Sequence, residues 1–333
     1  MNTQKKILIT GANGFIGSFL VEEALNRNYL VYAGIRKNCN TDYLIDNRIT
    51  FLELDYSSTE TLCKSIVHAP HFDHIIHNAG LTKAEKKEDY FTVNFRYTKN
   101  LIEALEKEKK TPEQFIYMSS LAAFGPADHT TAGVVKLTSS PAPITAYGKS
   151  KLASEQYITH LPNFPYLIIR PTAVYGPREK DLYTLFKLIN SHIEPYIGLK
   201  NQALTFVYVK DLANAVFDAM ATGKSRKAYF VTDGHVYDRG NLGAIIKTTL
   251  NKKTFRINIP LGLVRIVAFF NEVANTLSGK TSILNFEKVN ELGSLNWQCD
   301  NQTLCDETGF VAHYNLENGL IETAAWYKKE KWL

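Results

Sequence analysis

The sequence has few cysteines, no long apolar run and no strong excess of one charge. Its four cysteines are scattered and form no CxxC pair, which fits a reducing cytosol. No apolar stretch approaches the roughly 18 residues of a membrane span, and no signal-peptide pattern opens the chain. The net charge of +5 is too small and too dispersed to indicate a nucleic-acid partner. We therefore expect a soluble, cytoplasmic protein that binds a small molecule.

Short apolar runs alternate with helical patterns through the first half of the chain. The predicted strands are 6–10, 30–35, 49–54, 73–77, 114–118 and 165–169. The predicted helices between them lie near 15–27, 58–68, 89–108 and 147–160. Apolar strands that alternate with helices are typical of a parallel sheet built from βαβ units. The sequence therefore predicts an α/β protein with a doubly wound parallel sheet.

The pattern loses its regularity after Arg170-Pro171. At roughly 150 residues per domain, the length allows a large domain and a smaller lobe. We expect residues 1–175, with returning segments at about 204–232, to form the cofactor-binding domain. Residues 176–203 and about 233–333 are then the substrate lobe or lid.

A glycine-rich loop, TGANGFIG, stands between the first predicted strand and the first predicted helix. Glycine permits a positive φ at Gly11 and close backbone approach at Gly14, while Gly17 lets the helix pack tightly on the strand. The free N–H groups and dipole of the helix N-terminus favour an anion such as a pyrophosphate. In this context the loop predicts dinucleotide binding. The expected contacts are Gly11, Asn13, Gly14, Phe15, Ile16 and Gly17.

The second predicted strand ends in Arg36 and Lys37, where NAD-binding proteins often carry an acidic residue. A guanidinium cannot accept hydrogen bonds from a ribose, but it pairs well with a 2′-phosphate. We therefore expect NADP as the cofactor, with NAD as the alternative. The other interpretation of Arg36 is a solvated basic residue at a strand end.

Tyr147 and Lys151 stand four residues apart on a predicted helix, so their side chains project from one face. A lysine ammonium beside a phenol stabilises the phenolate, which predicts a tyrosine pKa lowered from about 10 toward neutrality. Such a tyrosine is suited to general acid and base catalysis on a carbonyl or alcohol oxygen. Ser119 and Ser120 follow the strand predicted at 114–118, at the carboxyl edge of the sheet.

These motifs resemble the extended branch of the short-chain dehydrogenase/reductase superfamily, the NAD-dependent epimerase/dehydratase family. The resemblance covers nearly the whole chain and implies a Rossmann-type fold. Its markers, in order, are the TGxxGxxG loop, Asp55, HNAG at 77–80, Val93-Asn94 with Thr98, Ser119-Ser120, YGKSK at 147–151, Arg170-Pro171 and YGP at 175–177. Members often form homodimers through helices matching 89–108 and 145–160, which implies a homodimer here.

The resemblance also implies roles for individual residues. Ser120 would hydrogen-bond the substrate oxygen, Asp55 the adenine amino group, and Asn94 would brace the active-site lysine, unless it is an ordinary helix asparagine. The remaining catalytic and cofactor contacts implied are Tyr147, Lys151, Ala79, Ser119, Pro171 and Val174.

The substrate prediction rests on cations that are missing. Ala173, Thr205 and the arginine-free stretch 294–299 occupy places where nucleotide-sugar enzymes of the family often carry an amide or a cation that holds a diphosphate. The sequence resembles instead the dihydroflavonol-reductase and 3β-hydroxysteroid-dehydrogenase-like members. This resemblance implies an uncharged, hydrophobic substrate whose ketone or aldehyde is reduced, or whose alcohol is oxidised. The alternative is a nucleotide-sugar epimerase or dehydratase. A non-catalytic NADP sensor is a remote third hypothesis, because the Tyr147/Lys151 pair is intact.

Two further patterns have simple interpretations. Histidines recur every three residues at 68, 71, 74 and 77, but they cross a loop and a strand, and His74 and His77 should face opposite ways, so no metal site is expected. The segment 260–277 predicts a helix with one apolar face. That helix is a lid, a wall of the substrate site or a membrane-surface contact, the last being the least favoured.

Overall fold

The computed structural model describes residues 4–130, 133–198, 200–262, 264 and 286–333. Seven parallel strands form the main sheet, in the order β10-β6-β5-β4-β1-β2-β3. Its strands are β1 (Lys6–Thr10), β2 (Leu30–Ile35), β3 (Thr50–Glu53), β4 (His74–His77), β5 (Gln114–Met118), β6 (Tyr166–Pro171) and β10 (Lys227–Val231). The predicted fold class, a doubly wound parallel sheet, is confirmed.

Helices cover both faces of this sheet. The described helices are α1 (Phe15–Asn26), α2 (Thr59–Ile66), α3 (Lys87–Tyr90), α4 (Tyr97–Lys107), α5 (Ala146–His160), α6 (Asp181–Asn190), α7 (Val209–Ala221), α8 (Arg239–Leu250), α9 (Phe286–Gly293), α10 (Gln302–Thr308) and α11 (Leu316–Lys329). A π-helical turn, Phe91–Arg96, joins α3 to α4. A 3-10 turn, Leu121–Ala123, follows β5.

The strand side chains divide between two apolar clusters, because alternate residues of a strand face opposite sides of the sheet. In β1, Ile7 and Ile9 pack in the cluster that includes α1 and α7, whereas Leu8 packs in the cluster that includes α2 and α4. All three side chains are fully buried. Burial on both faces is why the strands are apolar throughout rather than alternating with polar residues.

The later segments divide between the main sheet and a separate region. β10 joins the main sheet beside β6, but β9 (Phe206–Tyr208) pairs with β7 (Ala173–Tyr175), and β8 (Ile193–Ile197) pairs with β11 (Phe255–Ile259). Both of these small sheets are parallel. A third apolar cluster, separate from those of the main sheet, joins β7 and β9 to α6, α8 and α11.

The helix predicted over 260–277 lies largely outside the described residues, so that prediction is not tested. None of the described helices is long and apolar enough to cross a membrane. All four cysteines are free thiols.

Candidate active site

The glycine loop joins β1 to α1 with a geometry that only glycine accommodates at two positions. Gly11 has φ +63, and a Cβ at Gly17 would stand 2.0 Å from the Gly11 carbonyl oxygen. Gly14 precedes the first turn of α1 without a side-chain cap, and that turn contains no acidic residue. The helix N-terminus therefore presents its backbone N–H groups without a neutralising carboxylate, which fits a phosphate group.

The neighbouring end of β4 packs directly on this loop. The Ala79 N–H donates to Thr10 Oγ1 at 3.1 Å, and Asn78 Nδ2 donates to the Gly11 carbonyl at 3.4 Å. A Cβ on Gly11 would lie 2.8 Å from Ala79 Cα. Ala79 therefore borders the glycine loop, where its predicted cofactor contact would require it.

His77 lies beneath this junction as a buried, neutral side chain. Its Nδ1 is 2.8 Å from Thr10 Oγ1, and its Nε2 is 2.9 Å from Thr98 Oγ1. Burial lowers the pKa of His77 to about 3. His74 contacts Tyr29, whereas the His77 ring lies near Tyr56. Among the described residues, no group of three potential metal-ligating side chains comes together.

The residues predicted to bind the adenosine half follow β2 and β3. Arg36 and Lys37 are exposed after β2, and Asp55 is exposed after β3. The Ser57 N–H donates to Asp55 Oδ1 at 3.0 Å and lowers the pKa of that carboxyl. Asn13 holds the next loop through Nδ2, which donates to the Asn40 carbonyl at 3.1 Å. In the loop itself, Phe15 and Ile16 are partly buried, so their expected cofactor contact would come mainly from the backbone.

Lys151 occupies a buried position between α5 and the end of β5. The residue is 4% exposed. Its Nζ donates to the Met118 carbonyl at 2.7 Å and lies 4.9 Å from the centre of the Tyr117 ring. Burial lowers the pKa of Lys151 to about 8, although the Glu155 carboxylate opposes the shift. Lys151 therefore remains mostly protonated at neutral pH and becomes neutral just above it.

Tyr147 lies beside Ser120, as the motif predicts, but its pKa differs from the prediction. Burial raises the pKa of Tyr147 to about 12, and a hydrogen bond with Ser120 offsets only part of this shift. The negative charge of Glu291 raises it further. The expectation of a tyrosine that titrates near neutrality is therefore wrong for the chain alone, because desolvation of the phenolate outweighs its stabilisation.

Ser120 and the start of α5 are held together by tight backbone contacts. Ser120 Oγ accepts from the Ala122 N–H at 3.1 Å and caps the 3-10 turn. A Cβ on Gly148 would stand 2.2 Å from the Ala122 carbonyl oxygen, so α5 approaches this turn as closely as glycine allows. The close approach brings the Tyr147 and Ser120 hydroxyls into one site.

Asn94 lies in the π-helical turn and its side chain makes three hydrogen bonds. Its Oδ1 accepts from the Leu81 N–H at 2.7 Å, and its Nδ2 donates to the Leu81 carbonyl at 3.0 Å and to Ser150 Oγ at 2.9 Å. A Cβ on Gly80 would lie 3.1 Å from Asn94 Oδ1 and 3.2 Å from Lys151 Nζ. Asn94 is therefore a buried link between the loop after β4 and α5 beside the lysine, and not an ordinary helix-surface asparagine.

Ser119 does not point into the site, because its hydroxyl donates to the buried Glu155 carboxylate. Any contact of Ser119 with a cofactor would have to come from another part of the residue. Arg170, from β6, binds the same carboxylate through two nitrogens. Its Nε donates to Glu155 Oε1 at 3.0 Å and to Oε2 at 3.1 Å, and its Nη2 donates to Oε2 at 2.7 Å. The Arg170 guanidinium also lies 4.4 Å from the centre of the Phe124 ring. Glu155 was not predicted, although it follows Lys151 by four residues on the same helix face.

Two other predicted cofactor contacts lie near the end of β6. Pro171 is buried at the last residue of that strand, opposite Val231 of β10. Val174 is partly buried in β7 and packs against the core cluster that contains α1 and α7. Their roles remain predictions.

A cavity of about 370 Å³ opens at Ser120 and Tyr147. Most of its described lining residues are apolar, and none of them is a lysine or an arginine. The charged residue among them is Glu291. The Thr205 hydroxyl donates to the Trp297 carbonyl at 2.7 Å and lies 2.7 Å from the Thr172 hydroxyl. The described lining is Ser120, Leu121, Ala122, Tyr147, Thr172, Ala173, Gln202, Leu204, Thr205, Phe206, Leu242, Glu291, Leu292 and Trp297. The walls from 202–206 and 291–297 were not predicted as a unit, because they come from distant parts of the chain.

Comparison with known proteins places this site in a family. Residues 7–232 match the model of the NAD dependent epimerase/dehydratase family. The chain is 26% identical over 309 residues to a UDP-glucose 4-epimerase of Vibrio cholerae, covering 88% of this chain and 90% of that protein. It is 24% identical over 331 residues to a ceramide reductase of Caulobacter vibrioides, covering 98% of this chain and 96% of that one.

The solved structures agree on the fold. The UDP-glucose 4-epimerase of Thermotoga maritima superposes with a TM-score of 0.79 at 19% identity, covering 98% of this chain and 99% of that one. Taken together, the similar proteins favour the alternative hypothesis, a nucleotide-sugar epimerase or dehydratase, over a ketone reductase, and the solved neighbours named with a dinucleotide carry NAD. The family inferred from the motifs is confirmed: this chain belongs to the NAD-dependent epimerase/dehydratase family.

Proposed function

We propose that this enzyme transfers a hydride between a nicotinamide cofactor and a ketone or secondary alcohol on an uncharged, largely apolar substrate. The observation that carries the proposal is the cavity at Ser120 and Tyr147, whose described lining is mostly apolar and includes no lysine or arginine. A diphosphate buried there would lose its hydration without gaining charge-assisted hydrogen bonds, each of which contributes about 1.5–3 kcal/mol.

The cofactor would lie along the carboxyl edge of the sheet, with its pyrophosphate at the glycine loop between Gly11 and Gly17. When bound, it supplies the hydride. The protein supplies position and a proton: the Tyr147 phenol, protonated at neutral pH, donates to the substrate oxygen, while Ser120 hydrogen-bonds the same oxygen. Lys151, held by the Met118 carbonyl, contributes a positive charge to the site below its pKa of about 8.

The second candidate function is the epimerisation or dehydration of a nucleotide sugar. It is supported by the relatives, among them the UDP-glucose 4-epimerases of Vibrio cholerae and Thermotoga maritima. The similarity to a ceramide reductase over nearly the whole chain supports the first candidate. Both candidates use the same Tyr147 and Ser120 hydroxyls, so the two are separated by the substrate and not by the catalytic groups.

A substrate panel separates the two candidates. We expect purified enzyme to oxidise NADPH or NADH in the presence of hydrophobic ketones, and to leave UDP-glucose and GDP-mannose unchanged. The measurements are the loss of absorbance at the reduced nicotinamide and chromatography of the sugar nucleotides. Conversion of a sugar nucleotide, with no turnover of any ketone, would establish the second candidate and reject the first.

We further propose that the cofactor is NADP, which Arg36 would bind through its 2′-phosphate. Arg36→Glu should then lower kcat/KM for NADPH at least about tenfold more than for NADH, because it removes a charge-assisted pair and adds a repulsive charge. Lys64→Glu, an equal charge change at an exposed position of α2, is the matched control and should affect both cofactors little. Equal losses with both cofactors would refute this role for Arg36.

The predicted homodimer stays a prediction.

A further inference from the structure

A second cavity, of about 380 Å³, adjoins the one at Tyr147. Gln202 and Leu292 belong to the lining of both cavities, so the two meet at a shared wall. Neither Ser120 nor Tyr147 is among its described lining residues. Its other described lining residues are Gly198, Lys200, Pro260, Leu261, Gly293 and Leu295.

The shared wall offers little to a polar ligand. Gln202 Nε2 donates to the Leu292 carbonyl at 2.6 Å and to the Ser294 carbonyl at 2.9 Å, so both amide hydrogens are used inside the protein. Leu292, with its apolar side chain, lines both cavities. Pro260, Leu261 and Leu295 continue this apolar lining, while Lys200 is exposed.

We propose that the second cavity binds the tail of an elongated substrate, a straight hydrocarbon chain of several methylenes whose carbonyl carbon lies at Tyr147. The proposal rests on the proposed function, because it extends the same substrate site. The two cavities adjoin at Gln202 and Leu292, and the lining of the second is mostly apolar, with Lys200 as the charged residue among those described. Cavities of 300–1,000 Å³ are the usual size of ligand sites, and both lie in that range.

The length dependence of turnover tests this tail site. We expect kcat/KM for straight-chain 2-ketones from four to ten carbons, measured with NADPH, to rise with each added methylene. A fully buried methylene contributes about 0.8 kcal/mol, which is about a fourfold gain. Most of the gain should appear in KM, because the tail binds equally in the ground state and the transition state.

Gly293→Val narrows the second cavity without touching the catalytic hydroxyls. A Cβ at Gly293 would lie 3.1 Å from Leu261 Cδ2, so a valine there crowds Leu261, and both residues line the second cavity. We expect this variant to lose at least tenfold in kcat/KM for the ten-carbon ketone and to keep its rate with the four-carbon ketone. Gly262→Val is the matched control, because no atom of the described residues lies within 4 Å of its Cβ position. A thermal melt of each variant confirms folding.

The outcomes separate this inference from the proposed function. Turnover of ketones with no gain in length, or an equal effect of Gly293→Val on short and long ketones, would overturn the tail site and leave the proposed function intact. Turnover of sugar nucleotides alone would overturn both.

Discussion

Replacing Tyr147 by phenylalanine should reduce kcat by about 10²–10⁴-fold, the usual contribution of a positioned general acid. The phenylalanine ring keeps the packing with Tyr90, whose ring centre is 6.1 Å away. Only the hydroxyl that shares a hydrogen bond with Ser120 is lost. We therefore expect the dissociation constant of NADPH or NADH, measured by fluorescence titration, to change by less than about threefold.

The matched control is Tyr157→Phe, which removes the same oxygen from the same helix. Tyr157 contacts Phe95 and Lys99, away from Ser120, and its replacement should preserve kcat. If Tyr147→Phe retains more than a tenth of the activity, the proton must come from another group and the assignment of Tyr147 is wrong.

The pKa values of Tyr147 and Lys151 predict how the rate of ketone reduction depends on pH. The tyrosine must be protonated to donate, and with a pKa of about 12 it is protonated throughout the usual pH range. Lys151 loses its charge as the pH rises through about 8. The rate of reduction should therefore be level below that pH and fall above it, with Lys151 setting the alkaline limb.

Replacing Glu155 by glutamine should destabilise the protein by about 3–5 kcal/mol, the typical cost of breaking a buried ion pair by removing one partner. Glu155 and Arg170 are 3% and 7% exposed, and two guanidinium nitrogens donate to the carboxylate. The change leaves the arginine charge in a site from which water is largely excluded. The thermal midpoint should fall by several degrees.

A double variant shows whether the buried charge is the cause. Glu155→Gln with Arg170→Met removes both charges and keeps an apolar side chain near Phe124. It should be more stable than Glu155→Gln alone, because the arginine charge is no longer left buried without its carboxylate partner. Glu106→Gln, at an exposed position of α4, is the control and should stay within about 0.5 kcal/mol of the native protein. A double variant less stable than the single one would contradict this account.

Glu155 also illustrates what the sequence could not supply. The glycine loop and the Tyr147/Lys151 pair are local patterns that can be read from the sequence. Because they follow β1 and β5 of a parallel sheet, the sequence also predicts that they lie at the same edge of that sheet. The contact of Glu155 with Ser119 and Arg170 joins α5 to the residue after β5 and to β6, and no spacing in the chain encodes it. Its helical spacing of four from Lys151 was the available signal.

The cavity shows the same limit. Ala173 and Thr205 were identified singly, by the amide or cation that they lack. Their neighbours Leu242 and Glu291 come from segments that the sequence assigns only to a broad lobe. The pKa of Tyr147 could not be predicted either, because it depends on burial by these segments and on the charge of Glu291.

The π-helical turn at Phe91–Arg96 changes the direction in which side chains point along the helix, so residues within the turn and residues after it face different parts of the protein. A π turn holds one residue more than an α turn, and each residue of an α-helix rotates the next side chain by about 100°. Downstream, Leu101 and Leu105 follow the α-helical phase into the core. Asn94 lies within the π-helical turn and hydrogen-bonds to Leu81 and Ser150. The core and the catalytic region can therefore accept substitutions separately along this helix, whereas loss of a single residue from 91–96 would put the two surfaces out of register.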